Sequence, residues 1–64
     1  MKPVKFIDTK TETCWMTTND LDTAKSFIRY LLGCSSPETF VIWEPETGWA
    51  VPLLDAARYM EISR

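Results

Sequence analysis

The sequence predicts a small α+β domain, a two-layer sandwich in the order ββαββα, with a mostly antiparallel sheet and its helices on one face. Three observations predict it. Two pairs of β-prone runs each flank a short polar turn, one amphipathic helical stripe separates the pairs, and a second apolar stripe follows the last run. With 64 residues the chain has material for one core, so residues 1–64 are read as a single domain.

The first hairpin is expected from Pro3 to Thr17. Val4-Lys5-Phe6-Ile7 and Thr13-Cys14-Trp15-Met16-Thr17 are rich in β-branched and aromatic residues, and Asp8-Thr9-Lys10-Thr11-Glu12 between them is polar. Successive side chains in a strand point to opposite faces, so Val4 should share a face with Phe6, and Trp15 with Thr17. A helix follows. Thr18, Asn19 and Asp20 offer side-chain oxygens to the unpaired N–H groups of a first turn. Leu21, Ala24, Phe27, Ile28, Leu31 and Leu32 recur at helical spacing and define one buried stripe. Gly33 is expected to end this helix in the left-handed conformation. Ser35-Ser36-Pro37 reads as a loop.

The second hairpin carries stronger turn chemistry. Thr39-Phe40-Val41-Ile42-Trp43 and Trp49-Ala50-Val51 flank Glu44-Pro45-Glu46-Thr47-Gly48. Pro45 presets the first φ angle of the turn and Gly48 takes the positive φ that closes it. A loop from Pro45 to Gly48 pairs Glu44 with Trp49 and Ile42 with Val51. Phe40, Ile42, Trp49 and Val51 then share one face, and Val41, Trp43 and Ala50 the other. In the tail, Leu53, Leu54, Ala57 and Met60 or Tyr59 fit a helix that Pro52 would begin. A short strand from Tyr59 to Ile62 is the alternative.

Composition removes whole classes of function. Hydrophobic residues make up 45% of the chain and charged residues 25%, as in ordinary globular domains. No leader pattern opens the sequence, and no apolar run approaches the roughly 20 residues of a membrane span, so the expected location is the cytoplasm. Cys14 and Cys34 are expected as thiols there. The chain has no histidine, and two cysteines cannot complete a four-ligand zinc site. Neither a metal nor a cofactor is expected. Serine and cysteine nucleophiles usually rely on a histidine base. Gly33 and Gly48 stand alone rather than in a phosphate-binding loop. An enzyme is therefore not expected.

Charge and aromatic content point to binding instead. The net charge is −2, and the segment 35–52 holds Glu38, Glu44 and Glu46 with no basic residue. Trp43 and Trp49 lie in that segment. A two-layer sheet covers only one of its faces with helices. If Phe40, Ile42, Trp49 and Val51 face the helices, Val41 and Trp43 face out. Val41, Trp43, Glu44 and Glu46 are thus the candidate partner-binding residues, an apolar anchor with an acidic rim suited to a basic protein surface. The expected function is a non-catalytic cytoplasmic protein-binding module, accessory or inhibitory toward a larger partner. Chains this short, phage and mobile-element products included, often play such parts; that expectation rests on size. Two alternatives stay open. One is a dimeric nucleic-acid-binding regulator using Lys2, Lys5 and Lys10 of the first hairpin. The other is an obligate homodimer whose exposed aromatics form its own interface.

Overall fold

The ββαββα order is present in full. The computed structural model describes residues 1–62. The elements are β1 (Val4–Asp8), β2 (Thr13–Thr18), α1 (Leu21–Leu32), β3 (Phe40–Glu44), β4 (Trp49–Pro52) and α2 (Leu53–Tyr59), with a 3₁₀ turn at Pro37–Thr39 ahead of β3. The strands form one antiparallel sheet in the order β2-β1-β3-β4.

Both hairpins are closed by four-residue loops, Thr9–Glu12 and Pro45–Gly48, and in each the fourth residue has positive φ. Gly48 has φ 77° and Glu12 φ 56°. Glycine reaches this region without steric cost, whereas a glutamate does not. In β3–β4 the register pairs Glu44 with Trp49 and Ile42 with Val51, as the turn chemistry dictates.

The first hairpin departs from its expected alternation. Phe6 pairs with Met16 and Ile7 with Cys14, so Trp15 is the extra residue of a β-bulge. The bulge turns Trp15 to the helix side, where its ring meets Phe40 edge-on at 5.0 Å. Thr17, opposite Lys5, stays on the other face. Trp15 and Thr17 therefore do not share a face.

Helix α1 begins where its capping chemistry is best. Asp20 accepts hydrogen bonds from the Thr23 backbone N–H at 2.8 Å and the Thr23 hydroxyl at 2.7 Å. The helix ends differently from the expectation. Gly33 has φ −85°, in the right-handed region. The last turn instead tightens, with Gly33 N–H donating to Tyr30 O and Cys34 N–H to Leu31 O, each three residues back. Glycine tolerates the left-handed region that such a stop uses, but here the orphan carbonyls are met without it.

The tail is helical. Pro52 stands one position outside α2 rather than as its first residue. The helix closes with Ile62 N–H donating to Ala57 O and Glu61 N–H to Arg58 O. Glu61 sits at φ 57°, in the place a glycine usually takes in this Schellman arrangement. Ile62 packs back onto the core, which is why residues 59–62 turn instead of extending into a strand.

The core lies between the helices and one face of the sheet. Phe6, Ile28, Leu31 and Leu53 are fully buried, with Val4, Phe40 and Ile42 beside them. Ala24, Ala56 and Ala57 are also buried, and their small side chains let both helices approach the strands. Phe27 meets Phe6 edge-on at 5.0 Å. Each large buried side chain is worth about 1.5–3 kcal/mol of transfer free energy. The radius of gyration, 10.6 Å, equals the ~10.7 Å expected for one compact chain of this length.

The two hairpins are related by an approximate two-fold axis, which exchanges the Lys5–Trp43 and Ile7–Val41 pairs, while the helices differ in length and start. Advancing by 36 positions carries β1 onto β3, the loop Thr9–Glu12 onto Pro45–Gly48, and Phe6 onto Ile42. Phe6 and Ile42 are also paired across the central strands, so the axis passes between them. The sequence shows no matching repeat: the hairpins share backbone geometry and not side chains.

Candidate functional site

The uncovered face of the sheet is built from alternate residues of all four strands. Because both helices pack on the face of Val4, Phe6, Phe40 and Ile42, the intervening residues point away. Their register places two rows side by side. One row runs Thr17, Lys5, Trp43, Ala50; the other runs Cys14, Ile7, Val41, Pro52. Six of these eight positions are apolar or weakly polar: Cys14, Ile7, Val41, Pro52, Trp43 and Ala50. Trp43 keeps 38% of its surface exposed, Ile7 and Val41 are half-buried by their neighbours, and Cys14, Ala50 and Pro52 are exposed. Lys5 is the only charged residue in the two rows. Its cross-strand partner is Trp43.

The candidate partner-binding residues do not all meet on this face. Val41 and Trp43 do, two positions apart on β3. Glu44 is turned to the helix side by the same alternation, and its carboxylate oxygen Oε1 is buried without a hydrogen-bond partner. Glu46 is exposed at the tip of the second hairpin. The acidic rim expected around Trp43 is therefore split between the opposite face and the turn. Ala50 shares the face with Val41 and Trp43 as the sequence predicts, while Ile7 and Pro52 belong to the apolar face without having been expected there. Ile7 joins through the β1–β3 pairing, which links strands 36 positions apart and leaves no local signal, whereas Ala50 and Pro52 follow from the β3–β4 register.

The three lysines of the first hairpin are also dispersed. Lys5 is in the middle of the open face. Lys2 lies on the helix side, bordering a cleft with Glu44 and Trp49. Lys10 stands at the far turn, in a shallow depression with Asp8 and Trp15, and its backbone N–H donates to the Asp8 carboxylate at 3.0 Å. Lys2 and Lys10 flank opposite ends of β1, whose five residues extend roughly 16 Å.

On the helix side, Trp49 forms the wall of a second feature. It pairs with Glu44 across β3–β4 and is 48% exposed. A cleft of about 430 Å³ runs between Trp49, Val51, Ala56, Tyr59 and Met60, with Asp55 on its wall. A smaller hollow of about 210 Å³ continues from Trp49 and Met60 toward Glu44, Lys2 and Met1.

Among the described residues, no group of three or more Cys, Asp or Glu side chains is placed to hold a metal ion. No helix among the described residues is long and apolar enough to cross a membrane. Cys14 and Cys34 are free thiols; the Cys34 Sγ contacts Tyr30 O, and the Cys14 Sγ contacts Met16 O and the Thr17 hydroxyl. No protein family, characterised protein or solved structure matches the chain in sequence or fold comparison.

Proposed function

We propose that the chain is a non-catalytic protein-binding module that docks on a larger protein through the open face of its sheet. One observation carries the reading: Ile7, Val41, Trp43, Ala50 and Pro52 lie in adjacent register on a face that neither helix covers. Apolar area gathered in one place gains by burial, and a tryptophan at its centre is the side chain that most often anchors an interface. A cytoplasmic setting and an accessory or inhibitory part belong to the same proposal.

Size favours a larger partner over self-association. Four strands about 4.8 Å apart and about five residues long present a face of roughly 300 Å² in plan. Two such faces stacked on each other cover well under the ~1,200–2,000 Å² of a stable interface. A larger protein can also wrap the hairpin edges. The scattered lysines give no groove-tracking stripe, so the nucleic-acid reading has less support.

The test is site-specific photo-crosslinking in the native host. Benzoylphenylalanine replaces Trp43, Val41 or, as a control on α2, Arg58. Adducts to one other protein from the first two positions and none from the third are expected. Self-adducts accompanied by a concentration-dependent sedimentation coefficient would replace the reading with the homodimer. Adducts to nucleic acid, or equal yields from all three positions, would end it.

A further inference from the structure

The approximate two-fold axis sets two carboxylates in equivalent places. Asp8 ends β1 and Glu44 ends β3, thirty-six positions on. Both point to the helix side, and each is followed by an equivalent four-residue loop. The first half satisfies its carboxylate from within: the Lys10 N–H donates to Asp8, and the Lys10 side chain borders the same depression. The residue equivalent to Lys10 in the second half is Glu46, an acid. Glu44 Oε1 is left buried and unpartnered.

A buried carboxylate oxygen without a donor is unfavourable, because its lost hydration is not replaced. Around it the walls are aromatic and apolar. Trp49 stands opposite Glu44 and continues into the cleft of about 430 Å³ beside Tyr59 and Met60, with Asp55 contributing a second carboxylate. Tyr59 is 91% exposed, so among the described residues nothing fills the cleft from its side. Indole and phenol faces attract cations, and a guanidinium stacks on them while donating to a carboxylate. An ammonium is more strongly hydrated and lacks the planar fork.

We infer that the cleft beside Trp49 receives an arginine side chain from a partner protein, stacked on the Trp49 indole and donating to Glu44, whose carboxylate turns from its buried position toward the cleft on binding. The site is on the opposite face of the sheet from Val41 and Trp43, so it stands or falls apart from the open-face reading. Its rivals are internal: among the described residues, Lys2 and Met1, which bears the terminal amine, border the same hollow and bring the cations nearest to it.

The test uses the labelled full chain and two probes, N-acetyl-arginine amide and its uncharged counterpart N-acetyl-norleucine amide. The readout is the indole N–H resonance of each tryptophan. The arginine probe is expected to shift Trp49 saturably and to leave Trp15 unmoved. The norleucine probe is expected to bind about tenfold more weakly. Glu44→Gln should weaken the arginine probe by about tenfold or more, the usual consequence of losing a charge-assisted hydrogen bond. Should Glu44→Gln lose native amide dispersion, salt decides with the unmodified chain: arginine binding must weaken several-fold between low salt and about 0.5 M. Equal affinity for the two probes, insensitivity to both Glu44→Gln and salt, or no Trp49 shift at all would overturn the inference. So would arginine binding that appears only in Lys2→Met, because Lys2 would then already occupy Glu44.

Discussion

Glu12, Gly48 and Glu61 occupy the same backbone region, and only one of them is the residue that region favours. For Gly48→Ala nothing stands within 4 Å of the added Cβ, so its expected cost of about 1 kcal/mol is purely conformational. Glu12→Gly and Glu61→Gly should each stabilise by up to about 1 kcal/mol through relief of the same strain, less the entropy glycine adds to the unfolded chain. Gly33→Ala is expected to behave oppositely to Gly48→Ala. Its φ is ordinary and the new Cβ would rest 3.4 Å from Tyr30 O, so stability should hold or rise slightly. Urea midpoints of the four variants check this set. At Asp20, the Thr23 hydroxyl, followed by the Thr23 N–H, holds the carboxyl below its ordinary pKa. A carboxylate depressed in the folded state stabilises above its unfolded pKa, and that contribution is lost as pH falls through the folded value. Asp20→Asn should therefore keep the cap at neutral pH but flatten the fall of the thermal midpoint below about pH 4. In the core, Leu31→Ala should cost about 2–5 kcal/mol. A domain of this size holds only about 3–5 kcal/mol. Leu31→Ala should thus populate the unfolded state at 25 °C by circular dichroism, while Trp43→Ala on the open face should stay folded.

The elements were legible in the sequence wherever a residue type forces a backbone state. Pro45 and Gly48 fixed the second loop, and the loop fixed the β3–β4 register and both faces of that hairpin. The α1 stripe announced itself by spacing, and Asp20 was among three adjacent capping candidates. What was illegible lacked a forcing residue. No side chain marks the Trp15 bulge, because one extra residue in a strand changes spacing by one and composition not at all. Glu12 and Glu61 gave no sign of positive φ, since glutamate has no preference for it. Gly33 misled for the converse reason: glycine permits a left-handed stop and equally permits its absence. The bulge has a measurable role. Trp15→Ala removes the edge contact with Phe40 and should cost about 1–2 kcal/mol, more than its half-exposed position suggests, and chemical denaturation tests it. A larger loss would mean the bulge itself collapses.

At the scale of the whole molecule, half of the candidate site could be read in advance. Strand parity puts Val41 and Trp43 together, and a two-layer fold leaves one sheet face bare. Glu44 neighbours them in the chain, but the same parity sends it to the helix side. Ile7 joins them only through β1–β3 pairing, which no local pattern encodes. The accessible area, 4255 Å², is close to the ~4,200 Å² of a self-contained monomer of this mass. Because two open faces stacked on each other cover less than a stable interface needs, the chain is expected to sediment as a monomer at micromolar concentration. The approximate two-fold axis bears on connectivity as well. Met1 and Met60 border the same hollow, so the two ends of the described chain lie near each other. The link from α1 to β3 is the counterpart of the gap between those ends. A circular permutant opened between Ser35 and Ser36, with the old ends joined by a short flexible tether, should reach the same architecture. In that rearranged polypeptide β3 would lead and β1 would follow, and which half is translated first would have become a historical accident and not a structural requirement.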